Sequence, residues 1–283
     1  MRILFIGYGK TSRLIAKQLF AQGRQIVAVS RSTHLDSQIQ HLQQDIHQLD
    51  LSTIEPIDCV YILLSPDHRD VQAYQNTYVN SITPIVQALK AHPVQRIILV
   101  SSTRVYGENA GEWLDDESAV HPTDEYGHVL YDMEQQWRKI YANQLIIVRP
   151  SGIYTEDSAY MTQLAYKTTV YPHVHYSNRI HQDDLVDFLV QLADLTQPKE
   201  SYIVSNLQPL ALHDVIKGRQ RQLGLAMLHV ENLNKITGKR LEPKHLREMG
   251  FIWQYPHYFA EDIATSSLRP MSGIGRNDQA IID

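Results

Sequence analysis

Hydrophobic positions along this chain fall into short apolar runs separated by stretches of helical spacing. Residues 2–6, RILFI, are apolar without alternation, which predicts a strand buried on both faces, and a glycine turn follows at once. Residues 12–22 then predict a helix with Ile15 and Leu19 on one side. QIVAV at 25–29 and CVYILL at 59–64 read as further buried strands, with a weaker one near Asp45 and Ile46. Val79, Ile82, Val86 and Leu89 recur at helical spacing, and RIILVSS at 96–102 and LIIVRP at 145–150 read as strands. Between those two, Tyr126, Leu130, Met133, Trp137 and Ile140 form one helical stripe.

Alternating strands and helices predict an α/β fold: a Rossmann-type, doubly wound parallel sheet of about six or seven strands. The rhythm loosens beyond about residue 155, where a small C-terminal α/β substrate lobe is expected. Helices over 183–195 and 213–223 and a strand over 202–205 are expected there. The division is therefore 1–155 for the nucleotide-binding part, with some later segments returning to it, and 156–265 for the lobe. The Ser-, Gly- and Arg-containing segment 266–283 reads as a mobile tail.

Composition narrows the function. The 283 residues are 43% hydrophobic and carry a formal charge of −5, enough for a large core and without the basic footprint of a nucleic-acid binder. The single cysteine, Cys59, excludes an internal disulfide and reads as a buried, inert thiol. No apolar run approaches the ~20 residues of a membrane span, and nothing at the start resembles a signal peptide. A cytoplasmic protein without a membrane partner is the expectation.

The turn GYGKTS at 7–12 ends one predicted strand and opens a helix. Gly7 permits the tight turn, and Gly9 lets backbone approach a pyrophosphate. The amides of Lys10, Thr11 and Ser12 begin the helix that would hold the anion. Ser12 replaces the third glycine of the dinucleotide fingerprint, whose task of close packing a small serine can meet. NAD sites usually end the second strand with Asp or Glu; here stand Ser30, Arg31 and Ser32, with no acid before Asp36. Arginine between two hydroxyls suits a 2′-phosphate, so NADP is favoured over NAD, although Arg31 could merely cap a solvated loop.

The segments ILVSSTRVYGE (98–108), PTDEYGHVLYDME (122–134), VRPSGIYTE (148–156), NRIHQDDLVDFL (178–189) and KRLEPKHLREMGFIWQYP (239–256) occur in that order. Together they resemble the extended short-chain dehydrogenases/reductases, in an atypical, NAD-dependent epimerase/dehydratase-like form. The resemblance implies catalytic roles for Ser102, four residues before Tyr106 of the VYG turn, and for Tyr126 as the proton-exchanging base. In the family a lysine follows that tyrosine by four residues and lowers its pKa; here the position is Leu130, which also fits an ordinary core stripe. Where family members carry a small-residue stretch along the cofactor, this chain has Leu63, Leu64, Ser65 and Pro66, so Leu64 and Ser65 are candidate backbone contacts. The resemblance also puts Arg149 and His181 near the substrate, and implies dimer helices at 77–92 and 126–141.

Bland readings accompany several of these. Arg149 could anchor a loop, and His181 with Asp183 and Asp184 could cap a helix. His173 and His175 alternate on one strand face, but no third ligand lies near enough in sequence for a metal, and the resemblance makes 171–176 a variable substrate loop. Lys239 and Arg240 could meet a phosphate or be simply solvated. Two functions stay open: a nicotinamide-dependent oxidoreductase or epimerase/dehydratase acting on a small polar substrate, with a sugar nucleotide among the candidates, and a sensor that holds NADP(H) without turnover.

Overall fold

The computed structural model describes residues 1–34, 38–156 and 158–259; Asp36 and the expected tail at 266–283 lie outside the described residues. The first half runs β1 (Arg2–Ile6), α1 (Lys10–Ala21), β2 (Gln25–Ser30), β3 (Gln40–Gln43) and β4 (Cys59–Ile62). Then α2 (Val71–Tyr74) passes through a π-type turn (Gln75–Asn80) into α3 (Ile82–Leu89), followed by β5 (Arg96–Val100) and β6 (Trp113–Leu114). The long helix α4 (Glu125–Tyr141) leads to β7 (Leu145–Pro150), β8 (Gly152–Tyr154), α5 (Ala159–Lys167), β9 (Val170–Ser177) and β10 (Arg179–His181). The chain continues through α6 (Gln182–Leu192), β11 (Ser201–Val204), β12 (Leu210–Ala211), α7 (Leu212–Gln222), β13 (His229–Gly238), β14 (Arg240–Leu241) and α8 (Lys244–Glu248).

Seven strands form one sheet in the order β11-β7-β5-β4-β1-β2-β3, and every pairing in it is parallel. The strand order reverses between β1 and β4, so a crevice opens there at the carboxyl ends of the strands. Period-two alternation divides the central strands between two cores. Ile3 and Phe5 pack with Ile15 and Leu19 of α1 and Leu185 and Phe188 of α6. Leu4 and Ile6 pack with Ile82 and Ile85 of α3 and Leu130, Met133 and Trp137 of α4. Each such side chain contributes roughly 1.5–3 kcal/mol by leaving water. Asp124 caps α4, accepting from the Gly127 amide at 2.8 Å. Arg96 donates to the carbonyls of Leu192, Ala193 and Leu195 and so closes the end of α6 onto β5.

Later segments are tied back by buried polar groups. Both carboxylate oxygens of Asp184 accept backbone amides, from Gln254 at 2.7 Å and Tyr255 at 3.0 Å. Asn178 holds Lys239 O and the Leu241 amide, each at 2.9 Å. A small sheet, β12-β9-β13, packs under α5 and α7 around Met161, Val215, Ile216, Leu228 and Val230.

Four expectations change. The weak strand lies at Gln40–Gln43, and Ile46–Gln48 is a 3-10 turn capped by Asp45. The segment 171–176, expected as a loop, belongs to β9, and β13 had no sequence signal because most of its side chains are exposed. The helix expected around Val79 begins at Val71 and changes register through the π-type turn. The stripe of α4 ends before Ile140, which is exposed.

Burial pushes the Cys59 thiol up to about 12. The native protein should therefore resist a thiol reagent at pH 8, while denaturant releases one equivalent for the single cysteine; rapid native labelling would contradict this packing.

Candidate functional site

At the end of β1 the backbone of Gly7 turns with φ +90°, and a Cβ there would lie 2.1 Å from the Leu63 carbonyl oxygen. Only glycine satisfies both conditions. Gly9, the residue before α1, differs: a Cβ there would meet nothing within 4 Å. Crowding by the protein thus gives no reason for glycine at this position, whereas close approach of an anion to the helix start does. Ser12 is buried and donates from Oγ to Gly7 O at 2.7 Å, fastening helix to turn in the place of the third glycine. Lys10 and Thr11 open α1 beside it.

A cavity of about 430 Å³ lies along this edge, and its lining includes Gly7, Gly9, Ser30, Arg31, Ser32, Leu64 and Ser65. The structure therefore collects most of the cofactor residues expected from sequence. Ser30 Oγ donates to Ser32 O at 2.9 Å and shares a 2.8 Å hydrogen bond with His41 Nε2. Burial, then nearby His34, lowers the His41 pKa and keeps its ring neutral at pH 7. Arg31 forms a two-pronged ion pair with Asp67, which lines the same cavity. His34, His41 and Asp67 are additions that no sequence motif signalled: His34 and Asp67 line the cavity, and His41 reaches Ser30 from β3.

Ser102 follows β5 and caps the 3-10 turn Thr103–Val105, its Oγ accepting from the Arg104 amide at 3.2 Å. Tyr126 stands in the first turn of α4; its hydroxyl donates to Arg69 O at 3.1 Å. Its ring packs edge-on against Tyr74 with centroids 4.7 Å apart, and the Arg104 guanidinium lies 4.4 Å from the ring centroid. Neither Ser102 nor Tyr126 lines the 430 Å³ cavity, but Arg69 belongs to the loop after β4 that forms one wall of it. Leu130, one turn on, is 3% exposed within the α3–α4 core, so the absent lysine is replaced by packing.

Two substrate expectations are corrected. Arg149 is 3% exposed and faces inward: Nε and Nη2 reach Glu134 at 3.0 and 2.7 Å, and Nη1 donates to the Tyr106 hydroxyl at 2.8 Å. Burial pushes that phenol up to about 12, so it stays a neutral acceptor. Arg149 is a buried anchor between β7, α4 and the VYG turn. His181 is also buried; its Nδ1 accepts from the Asp183 amide at 3.2 Å and its ring stacks on Tyr255 at 3.6 Å. It caps α6, the bland reading.

Between the main sheet and the lobe lies a second cleft of about 420 Å³, lined by residues that include Arg104, Glu108, Asp124, His175, Arg179 and Lys239. Lys239 is half-buried there and donates to Tyr106 O, while Arg240 covers the rings of Trp113 and Tyr176. The pair is therefore not simply solvated. His173 and His175 do share a face, and both meet Thr237 Oγ1, at 3.0 and 2.9 Å.

Residues 7–196 match the family model described as NAD(P)H-binding. The chain belongs to that family. It is 25% identical over 270 residues to protein YeeZ of Escherichia coli K12, spanning 90% of this chain and 96% of that one. A solved structure from Methylobacillus flagellatus, described as a candidate NAD-dependent epimerase/dehydratase, superposes with TM-score 0.80 at 27% identity, covering 94% and 97% of the two chains. UDP-glucuronic acid 4-epimerase from Bacillus cereus, solved with NAD, superposes with TM-score 0.72 at 19% identity, covering 90% and 94%. This last likeness is one of fold. The chain thus joins that NAD(P)H-binding family with a Rossmann-like fold of the kind seen in epimerase/dehydratase-type proteins. Among the described residues no helix is long and apolar enough to cross a membrane.

The Arg149–Glu134 pair is open to direct test. Glu134→Ala leaves a buried guanidinium without its carboxylate, a loss of about 3–5 kcal/mol. Urea denaturation should register it, whereas an unchanged midpoint would return Arg149 to solvent or substrate.

Proposed function

We propose that the protein binds NADP(H) along the β1–α1 edge and acts as a nicotinamide-dependent oxidoreductase or epimerase/dehydratase on a small polar substrate, of which a sugar nucleotide is one class. The observation that carries this reading is the open approach to Gly9 at the start of α1, facing a cavity that ends at Ser30, Arg31 and Ser32. The residues fit the cofactor in kind: backbone amides for a pyrophosphate, a neutral wall at Leu63, Leu64 and Ser65, and a guanidinium between two hydroxyls for a 2′-phosphate. A lone buried cysteine suits the reducing cytoplasm.

When bound, a nicotinamide takes or returns hydride. The chain's own residues handle the proton. Ser102 Oγ, at the carboxyl end of β5, would hold the substrate oxygen that gains charge. The Tyr126 hydroxyl, now donating to Arg69 O, would turn to exchange its proton with a substrate hydroxyl. Leu130 supplies no charge to that phenol, so the Arg104 guanidinium against its ring is the nearby cation.

Two measurements test this reading. In fluorescence titrations Arg31→Ala should weaken NADPH about tenfold and leave NADH nearly unchanged, as loss of one charge-assisted contact predicts. Asp67→Asn should do the reverse, because it frees Arg31 and removes a negative charge from the 2′-phosphate position. Equal affinity for NADPH and NADH in all three proteins would overturn the preference for NADP. On any substrate that is turned over, Tyr126→Phe should lower kcat by 10²-fold or more with little change in NADPH affinity. Undiminished turnover would remove Tyr126 from the chemistry.

A further inference from the structure

The cleft between the main sheet and the lobe contains polar groups that the fold does not need. Arg179 is largely shielded, and burial lowers its pKa. The guanidinium's only hydrogen bond, among the described residues, runs from Nη1 to Asn178 O at 3.3 Å, and no carboxylate pairs with it. Its Nη1 lies over Gly152, where a Cβ would come within 2.5 Å of it. Lys239 likewise holds only a backbone carbonyl, that of Tyr106. Both cations lie close to His175, whose protonation each of them opposes, and all three line the same cleft.

Two further atoms in this wall are shielded from solvent yet lack a hydrogen-bond partner among the described residues: Ser177 Oγ and Glu108 Oε2. Unpaired buried polar atoms are costly, and a folded chain rarely gathers several at one cleft without something to satisfy them. The set is complementary to one kind of molecule. Arg179 and Lys239 match an anionic head, and Glu108 and Ser177 match hydroxyl groups carried beside it. Arg104 does not compete for the head, because Asp124 already holds it at 3.0 Å.

We infer that this cleft binds a small hydroxylated organic anion, with its carboxylate or phosphate between Arg179 and Lys239 and its hydroxyls on Glu108 and Ser177. The inference rests on the proposed oxidoreductase or epimerase/dehydratase reading and takes this cleft as its substrate side. It narrows the substrate to a free acid or phosphate monoester: the cleft's volume of about 420 Å³ suits a compact molecule, and the half-buried ring of Tyr176 in its wall is already covered by Arg240. The head is therefore the acid itself, not a nucleoside diphosphate needing a stacking platform.

Calorimetric titration of the full-length protein, with and without NADPH, tests this with four probes: glucuronate, glucose 6-phosphate, glucose and UDP-glucose. One of the two small anions should bind at least about tenfold more tightly than neutral glucose, and which one does so tells carboxylate from phosphate. Arg179→Gln and Lys239→Gln should each weaken that anion about tenfold, while NADPH affinity and melting temperature hold. Equal binding of glucose and the anions, failure of all four probes, or insensitivity to both variants would overturn the inference. Tighter binding of UDP-glucose than of either small anion would overturn it too, in favour of a nucleotide-linked substrate. Failure of NADPH to bind, with the anion result intact, would instead sink the cofactor reading and leave this site standing.

Discussion

Gly7 sits where two strand ends nearly touch, and its closeness to the Leu63 carbonyl governs what the rest of the molecule can present. A side chain there would push β1 and β4 apart at the point where the strand order reverses. The crevice at that point, the open start of α1 and the cavity running to Arg31 all depend on this contact. The surrounding sheet supplies the rigidity: its central strands are buried on both faces, so the turn between them cannot relax without disturbing two cores.

Helix α4 does two tasks with opposite ends. Its middle is core, through Leu130, Met133 and Trp137, and its buried carboxylate Glu134 is fixed by Arg149. Its first turn, capped by Asp124, carries Tyr126 to the surface beside Arg104 and the loop after β4. Leu130, one turn on from Tyr126, is packed into the core, so the helix carries no cation at that position. Asp184 and Asn178 perform a matching service for the later chain, holding backbone amides so that Lys239 and Arg179 face a common cleft. These ties are hydrogen bonds to backbone, so they constrain position without specifying which side chains meet.

Much of the fold was legible. Apolar runs such as RILFI, CVYI and LIIVRP gave the central strands, since a strand buried on both faces must be continuously apolar. The polar edge strand QHLQ and the exposed β13 carry no such signature: the first lies a few residues before its expected place, and the second has no sequence signal. The π-type turn before α3 was illegible for a related reason: a change of helical register leaves the residue types unaltered. In the site, the glycine turn and the Ser30–Ser32 segment were readable because they are contiguous. For Arg149 and His181 the substrate alternative fails and the structural one holds, because a motif position says which residue is present and not which way it points.

The sequence by itself determined the class of fold, the anion-ready turn at the end of β1 and the absence of a lysine four residues after Tyr126. Those are properties of local pattern and of residue identity, and no tertiary contact can change them. Only the tertiary structure decided that Arg31 is paired with Asp67, that Arg149 is internal, and that Arg179, Lys239, Glu108 and Ser177 line one cleft. The reason is physical. Charge and hydrogen-bond partners are chosen by distance in space, and residues as far apart in the chain as Glu108 and Lys239 become neighbours only after the lobe folds back onto the sheet.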